Sequence, residues 1–434
     1  MIALQKGDKK LLNAWAFYDW ANSAYSLVIA SAIFPIYYSA IFNERGNNYV
    51  DIFGFHCKNT AMITFVTALA FLIVAFISPI LSGIADYIGN KKAFLRFFCY
   101  LGSLSCMGLY WFTPDNFLIS YSIYLLGLVG FWGSLVFYNS YLPDIAFVEQ
   151  QDKVSARGFS MGYIGSTILL IINLAMVMLV PDDQKIQMMK YSFVMVGIWW
   201  IGFSHITYFY LPKGIATGNK ITSTVILDGF KELKLVWQDI KLNIALKRYL
   251  TSYFIFIMAV QTVMLIATYF GAEEITWNNE SQKTTGLIIS ILVIQIVAVL
   301  GAFVTSRVSK KLGNINTLVF LNAFWAILCV FAYFVTTPNQ FYIVAGFVGL
   351  VMGGIQSLAR STFSKLLPET KDTTSYFSFY DVTEKIGIVV GMSIYGIIDQ
   401  ITGSMRNSIV FLGVFFVIGL LLLLRIPKNN ALQS

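Results

Sequence analysis

The chain has 434 residues, of which 57% are hydrophobic and only 12% charged, and its mean hydropathy is +0.70. A soluble domain carries roughly 25% charged residues, so this composition excludes an ordinary water-soluble protein; the apolar residues recur in blocks near the roughly 20 needed to cross a hydrocarbon core ~30 Å thick. The net charge of +8 does not point to nucleic acid, because no basic stripe is interleaved with aromatics; excess Lys and Arg mark the cytoplasmic loops of a membrane protein.

Residues 1–13 are polar, with no short apolar core and no small-residue cleavage site, so the first apolar block reads as a retained helix and not a signal peptide. Twelve spans are predicted, over approximately 14–42, 60–85, 93–112, 117–143, 158–181, 190–211, 249–271, 284–307, 315–337, 340–367, 376–400 and 407–426. One long link, 212–248, separates a first six-helix unit (1–211) from a second (249–434). The expected fold is therefore an all-α membrane protein: twelve transmembrane helices in two pseudo-symmetric six-helix bundles.

Charge orients these spans. With both termini inside, cytoplasmic segments hold 22 of the 30 basic residues, Lys91, Lys92, Lys220, Lys365 and Lys428 among them, and the outer loops hold 6. This asymmetry predicts cytoplasmic termini, here in a bacterial plasma membrane. Within the link, Ile226, Phe230, Leu233, Trp237, Ile240 and Ile244 recur at spacings of four and three, with Lys231, Lys234 and Lys241 off the stripe. That pattern predicts an amphipathic helix on the cytoplasmic membrane surface, or a plain helical spacer.

The two halves echo each other. Asp86 and Lys310 follow spans two and eight at an offset of 224 residues, and Pro143 and Pro368 end spans four and ten at an offset of 225. Two matches at nearly one offset indicate parallel six-helix repeats, an arrangement that places a solute site between the halves. The loop after span two, Asp86-Tyr87-Ile88-Gly89-Asn90-Lys91-Lys92, resembles the loop signature of major facilitator transporters. Asp86 can cap a neighbouring helix N-terminus, Gly89 permits a tight turn, and Lys91 and Lys92 are expected to face the cytoplasm. Lys310 replaces the acid in the second copy, so that copy is expected to lack the same latch.

Longer stretches carry a closer resemblance: Tyr18-Asp19-Trp20-Ala21-Asn22-Ser23-Ala24, Phe137-Tyr138-Asn139-Ser140-Tyr141-Leu142-Pro143, Gly353-Gly354-Ile355-Gln356-Ser357-Leu358-Ala359-Arg360-Ser361 and Tyr376-Phe377-Ser378-Phe379-Tyr380-Asp381-Val382-Thr383-Glu384-Lys385. Together they resemble the "unknown major facilitator" family, which includes the fungal vacuolar amino-acid effluxers. The resemblance implies export of small solutes by alternating access, amino acids in the fungal case. Ser378 and Glu384 depart from the family's usual Gly and small residue.

Five ionisable groups fall inside spans: Asp19, Arg360, Asp381, Glu384 and Lys385. Each costs at least ~2.5–3.5 kcal/mol to insert, so such groups face protein or a watery path. Asp381 and Lys385, four apart, can pair on one helix face, and the set contains one acid more than base. Three uses are open from the sequence: an inner-gate ion network, proton coupling through Asp19, Asp381 or Glu384, and binding of a zwitterionic solute with Arg360 on its carboxylate and Asp19 on its amine. Asn22, Asn139, Gln261 and Gln356 are cavity-lining candidates or interhelical hydrogen-bonding groups. Trp15, Trp20, Trp111, Trp132, Trp199, Trp200, Trp277 and Trp325 read mostly as interface anchors. Three glycine pairs, Gly158/Gly162, Gly349/Gly353 and Gly387/Gly391, read as close helix contacts.

Nothing in the sequence suggests an enzyme, a cofactor or a metal site. Neither a P-loop nor a nucleophile elbow is present, and His56, His205 and four scattered cysteines have no ligand spacing. The expected partners are a small-molecule substrate, protons and the lipid bilayer, for a chain acting as a monomer. Permeation of peptides or peptidoglycan fragments, and a sensor or platform role through the helix at 226–244, are the rival readings.

Overall fold

The structure is a computed structural model that describes residues 4–47, 49–52, 55–214 and 225–427; Lys220 and Lys428 lie outside the described residues. Twelve helices long and apolar enough to cross a membrane run over Lys9–Arg45, Ala61–Ile88, Lys91–Trp111, Phe117–Ile145, Val148–Met178, Asp182–Tyr210, Ile244–Glu273, Gln282–Leu312, Asn314–Tyr333, Pro338–Leu366, Thr373–Thr402 and Met405–Leu423. Several begin earlier than hydropathy alone predicts, because polar caps extend them. Asn243 accepts from the Leu246 N–H at the seventh, and Thr337 and Gln340 form a reciprocal cap with Pro338 in the first turn of the tenth. The second span stops at Gly89, whose φ of 72° is the left-handed conformation that glycine adopts without strain.

The spans form two six-helix bundles with separate buried cores. The first core gathers Trp15, Tyr37, Phe98 and Trp200; the second gathers Tyr249, Phe256, Trp325 and Phe416. Trp15, Trp200 and Trp325 are thus packing residues and not interface anchors, being 1% exposed or less, whereas Trp111 is 68% exposed. The glycine pairs mark close contacts. Gly349 and Gly353 lie against the backbone of Ile294 and Ala298 in the eighth span, and Gly158 and Gly162 against Asp19 and Ser23 in the first.

Two features have no precedent in the hydropathy pattern. The first span widens to a π-helix over Tyr25–Ile33, and Ser31 Oγ donates to the Ser26 carbonyl, five residues back, at 2.8 Å. A short hairpin pairs Tyr49–Ile52 with Phe55–Lys58.

The link contains the expected helix, Val225–Leu242, and its apolar stripe is divided between packed and open positions. Val236 and Ile240 are buried, while Phe230 and Trp237 are 46% and 45% exposed; the Ile226 side chain lies outside those described. Gly229 decides the face, since it meets Gly83 of the second span backbone to backbone, leaving no room for a Cβ on either. The helix also reaches the other bundle: Trp237 stacks on Phe379 at 5.4 Å, and Tyr376 Oη donates to Asp239. Burial pushes the Glu232 carboxyl above its usual range, as does the nearby Asp372 charge; burial likewise raises Asp372.

Candidate functional site: a charged lock between the bundles

Asp19 and Arg360 sit one on each bundle and meet. Both Arg360 terminal nitrogens donate to Asp19 Oδ2 at 3.3 Å, and Tyr138 Oη donates to the same oxygen at 2.8 Å. Arg360 also donates to Asn139 Oδ1 (3.1 Å), Ser155 Oγ (3.0 Å) and the Ser155 carbonyl (3.0 Å). Its guanidinium lies among three rings, 4.2 Å from Phe159, 4.8 Å from Trp15 and 5.5 Å from Tyr138. A planar cation with five donors suits such a buried, many-partnered place, as lysine would not. The pair brings together the first, fourth, fifth and tenth spans. Nearby, Tyr163 Oη donates to Gln356 Oε1 at 2.8 Å and Ser155 Oγ to the Ser357 carbonyl at 2.7 Å.

Two further locks flank this one, on the face that carries the link. In the first, Asp86 Oδ2 accepts from the Ser375 N–H at 2.6 Å and Oδ1 from the Thr374 N–H at 3.3 Å. The acid therefore caps the N-terminus of the eleventh span, where the helix dipole favours a negative group. Lys91 does not face outward as expected: it is 4% exposed, pairs with Asp144 at 2.5 Å, and donates to the Ser140 carbonyl and Thr373 Oγ1. Lys92 donates to the Leu211 carbonyl at 2.8 Å.

The second flanking lock was not foreseen. Asp152 of the fifth span accepts from Lys365 (3.0 Å), Asn314 (2.9 Å) and Ser309 (3.1 Å) of the other bundle. Lys365, expected among the basic residues of the cytoplasmic segments, is buried with Asp152. The loop copy around Lys310 thus does have a latch, with its polarity reversed, because the first bundle supplies the acid while Lys310 itself is exposed. The signal in the sequence was Asn314 at the loop position that matches Asn90.

The remaining predicted residues form a second charged group. Asp381 and Lys385 pair as their spacing predicts, and Lys385 Nζ lies 4.2 Å from the Trp132 ring of the first bundle. Asp381 Oδ2 is buried without a hydrogen-bond partner. Glu384 is half-buried and accepts from Gln261 Nε2 of the seventh span. Asn22 is buried beside Ser23, which donates to its Oδ1 at 3.4 Å, and its amide nitrogen has no partner. A small cavity of about 60 Å³ lies away from these charges, inside the second bundle among Val263, Ile294, Trp325, Cys329 and Phe341. Its lining offers no charged group to orient a polar solute.

This architecture has known counterparts. The chain superimposes on the fucose:proton symporter FucP of E. coli with a TM-score of 0.67 and 14% identity, covering 97% of this chain and 98% of that one. It matches the proton:xylose symporter XylE with a TM-score of 0.70 and 12% identity, over 98% and 97%. In sequence it is 31% identical to the MFS-type transporter YxiO of Bacillus subtilis across 99% of this chain and 97% of that protein. It is also 21% identical to the autophagy-related protein 22-2 of Neosartorya fischeri, across 87% and 75%. The family described as "Vacuole effluxer Atg22 like" matches residues 7–149 and 146–434. With two six-helix bundles, a major facilitator architecture and a family match over nearly its whole length, this chain is a membrane transporter that belongs to the Vacuole effluxer Atg22 like family.

Proposed function

We propose that this protein is a secondary transporter that exports small polar solutes, amino acids or similar metabolites, across a bacterial plasma membrane by alternating access. The observation that carries this reading is the set of three inter-bundle locks, all drawn towards the face that bears the link. The charge asymmetry supports reading that face as cytoplasmic and this conformation as one closed to the cytoplasm. Opening inward then requires breaking Asp19–Arg360, Asp152–Lys365 and the Asp86 cap together, as a bistable element requires. With no P-loop in the chain, the driving force is a gradient. Proton coupling rests on the acid in excess near mid-membrane, at the Asp381–Glu384 end of the cluster.

The test is efflux and counterflow from proteoliposomes loaded with labelled amino acids and short peptides, with and without an imposed pH gradient. Movement of one solute, accelerated by the gradient and no longer accelerated in Asp381→Asn or Glu384→Gln, is the expected result. Transport unchanged by the gradient in the unmodified protein would remove proton coupling. Movement of peptides alone would replace the amino-acid reading with the peptide one.

A further inference from the structure

Charge pairing among Asp19, Arg360, Asp381, Glu384 and Lys385 leaves one acid over. Arg360 is neutralised by Asp19, Lys385 by Asp381, Lys365 by Asp152 and Lys91 by Asp144, while Asp86 is spent on a helix N-terminus. Among the described residues Glu384 forms no ion pair, its neighbour Lys385 being paired with Asp381, and it is held by the neutral amide of Gln261. Its exposure is intermediate, unlike the buried Asp381 and Lys385 on either side. One turn earlier, Tyr380 stacks on Tyr253 of the seventh span at 4.1 Å, and both phenols lie within electrostatic range of the Glu384 carboxylate. A carboxylate with no ion-pair partner, bordered by phenol rings, can receive an organic ammonium through charge-assisted hydrogen bonds.

From this pairing we infer that Glu384 is the anchor for a protonated amine of the transported solute, and that the favoured solute carries net positive charge. The inference rests on the transport reading above. It goes further, because no cation remains in the cluster to receive a solute carboxylate. Arg360, the group a zwitterion would need, is occupied by Asp19, Asn139 and Ser155. An amine whose carboxylate is absent or masked therefore fits better than a plain zwitterion. The groups facing Glu384 are Asp381 and Lys385 on its own helix, Tyr253 on the seventh span and Arg360 on the tenth, which acts on the neighbouring Tyr380.

The experiment is direct binding to the purified full chain in detergent, using three probes of one shape: leucinamide, leucine and N-acetylleucine. The expected order is leucinamide tightest, leucine weaker, and N-acetylleucine, which has no ammonium, weakest. Leucinamide affinity should fall about ten- to a hundredfold in Glu384→Gln and recover in part in Glu384→Asp. Equal binding of N-acetylleucine and leucinamide, undiminished binding to Glu384→Gln, or no amine binding at all would each overturn the inference. The probe comparison needs no variant, so a misfolded substitution cannot shield it. Flux of N-acetylleucine in liposomes would leave the transport reading standing while this inference fails; amine binding without any flux would do the reverse.

Discussion

Arg360 and Asp19, 341 positions apart in the chain, close the gap between the two bundles with both guanidinium nitrogens on a single carboxylate oxygen at 3.3 Å. Both side chains are nearly inaccessible, at 4% and 8% exposure. A buried pair of this kind contributes little net stability against a well-packed apolar substitute, because both ions have been taken from water. Its value lies in being conditional: the pair exists only while the bundles touch, so it stabilises one state of the transporter over another.

Removing one partner should therefore cost much more than the pair contributes. Asp19→Asn leaves Arg360 charged and buried, and breaking a buried pair costs about 3–5 kcal/mol, enough to shift a two-state population by roughly two orders of magnitude or more. The expected outcome is that a reporter cysteine placed on the link-bearing face becomes reactive to a bulky thiol reagent in Asp19→Asn and Arg360→Ala, and that solute flux collapses. Arg360→Lys should behave like the alanine variant, since one ammonium cannot serve Asp19, Asn139 and Ser155 at once. Normal flux and an unreactive cysteine in Asp19→Asn would show that the pair is not a gate.

The space around the pair is as constrained as its charge. A Cβ added at Gly158 would come within 2.9 Å of Arg360 Nη2 and 3.2 Å of Tyr138 Oη, whereas one added at Gly202 would meet nothing within 4 Å. Gly158→Ala should reproduce much of the Asp19→Asn transport defect by separating the ions without removing either. Gly202→Ala should transport normally at equal expression. Equal counterflow rates for the two variants would mean that the fifth span yields at this point.

Much of this was legible in the sequence, for physical reasons that also mark the limit. Asp19, Arg360, Asp381, Glu384 and Lys385 stand out because a charge in an apolar run has few explanations, and helical spacing alone pairs Asp381 with Lys385. Asp152 and Lys365 do not stand out. Each lies near a span end, where charge is ordinary, and only the packing of one bundle on the other brings them together across 213 positions. The link helix is legible only in part: Ile240 of its apolar stripe is buried, yet the closest approach to the second span is made by Gly229, which has no side chain to register in a hydropathy pattern.

The Asp152–Lys365 pair makes its own prediction. Asp152→Ala and Lys365→Ala should each lower the melting temperature in detergent clearly, by about 3–5 kcal/mol in stability terms, while the double variant should cost less than the sum of the two. A coupling energy of about 0.5–3 kcal/mol is the range for residues in one network. Additive losses would mean that Asn314 and Ser309, and not the ion pair, hold this corner.

The link helix should dock more firmly as the pH falls. The Glu232 and Asp372 carboxyls are both raised by burial, and the Asp372 charge raises Glu232 further. A carboxyl raised in the docked state binds more protons there than when released, so docking costs most at neutral pH, where both are ionised. That cost is relieved as pH falls through the raised values towards the ordinary carboxylate range. The other groups at this contact are Lys371, whose charge favours the ionised form of Asp372, and Asp239, held by Tyr376. Trp237, stacked on Phe379, is positioned to report docking. Its fluorescence, in a variant whose other tryptophan signals have been subtracted using Trp237→Phe, should move towards a more shielded value between neutral and mildly acidic pH. Glu232→Gln should remove most of that movement and hold the shielded signal at neutral pH. A Trp237 signal that is flat with pH, or one that becomes more exposed on acidification, would overturn this coupling of docking to protonation.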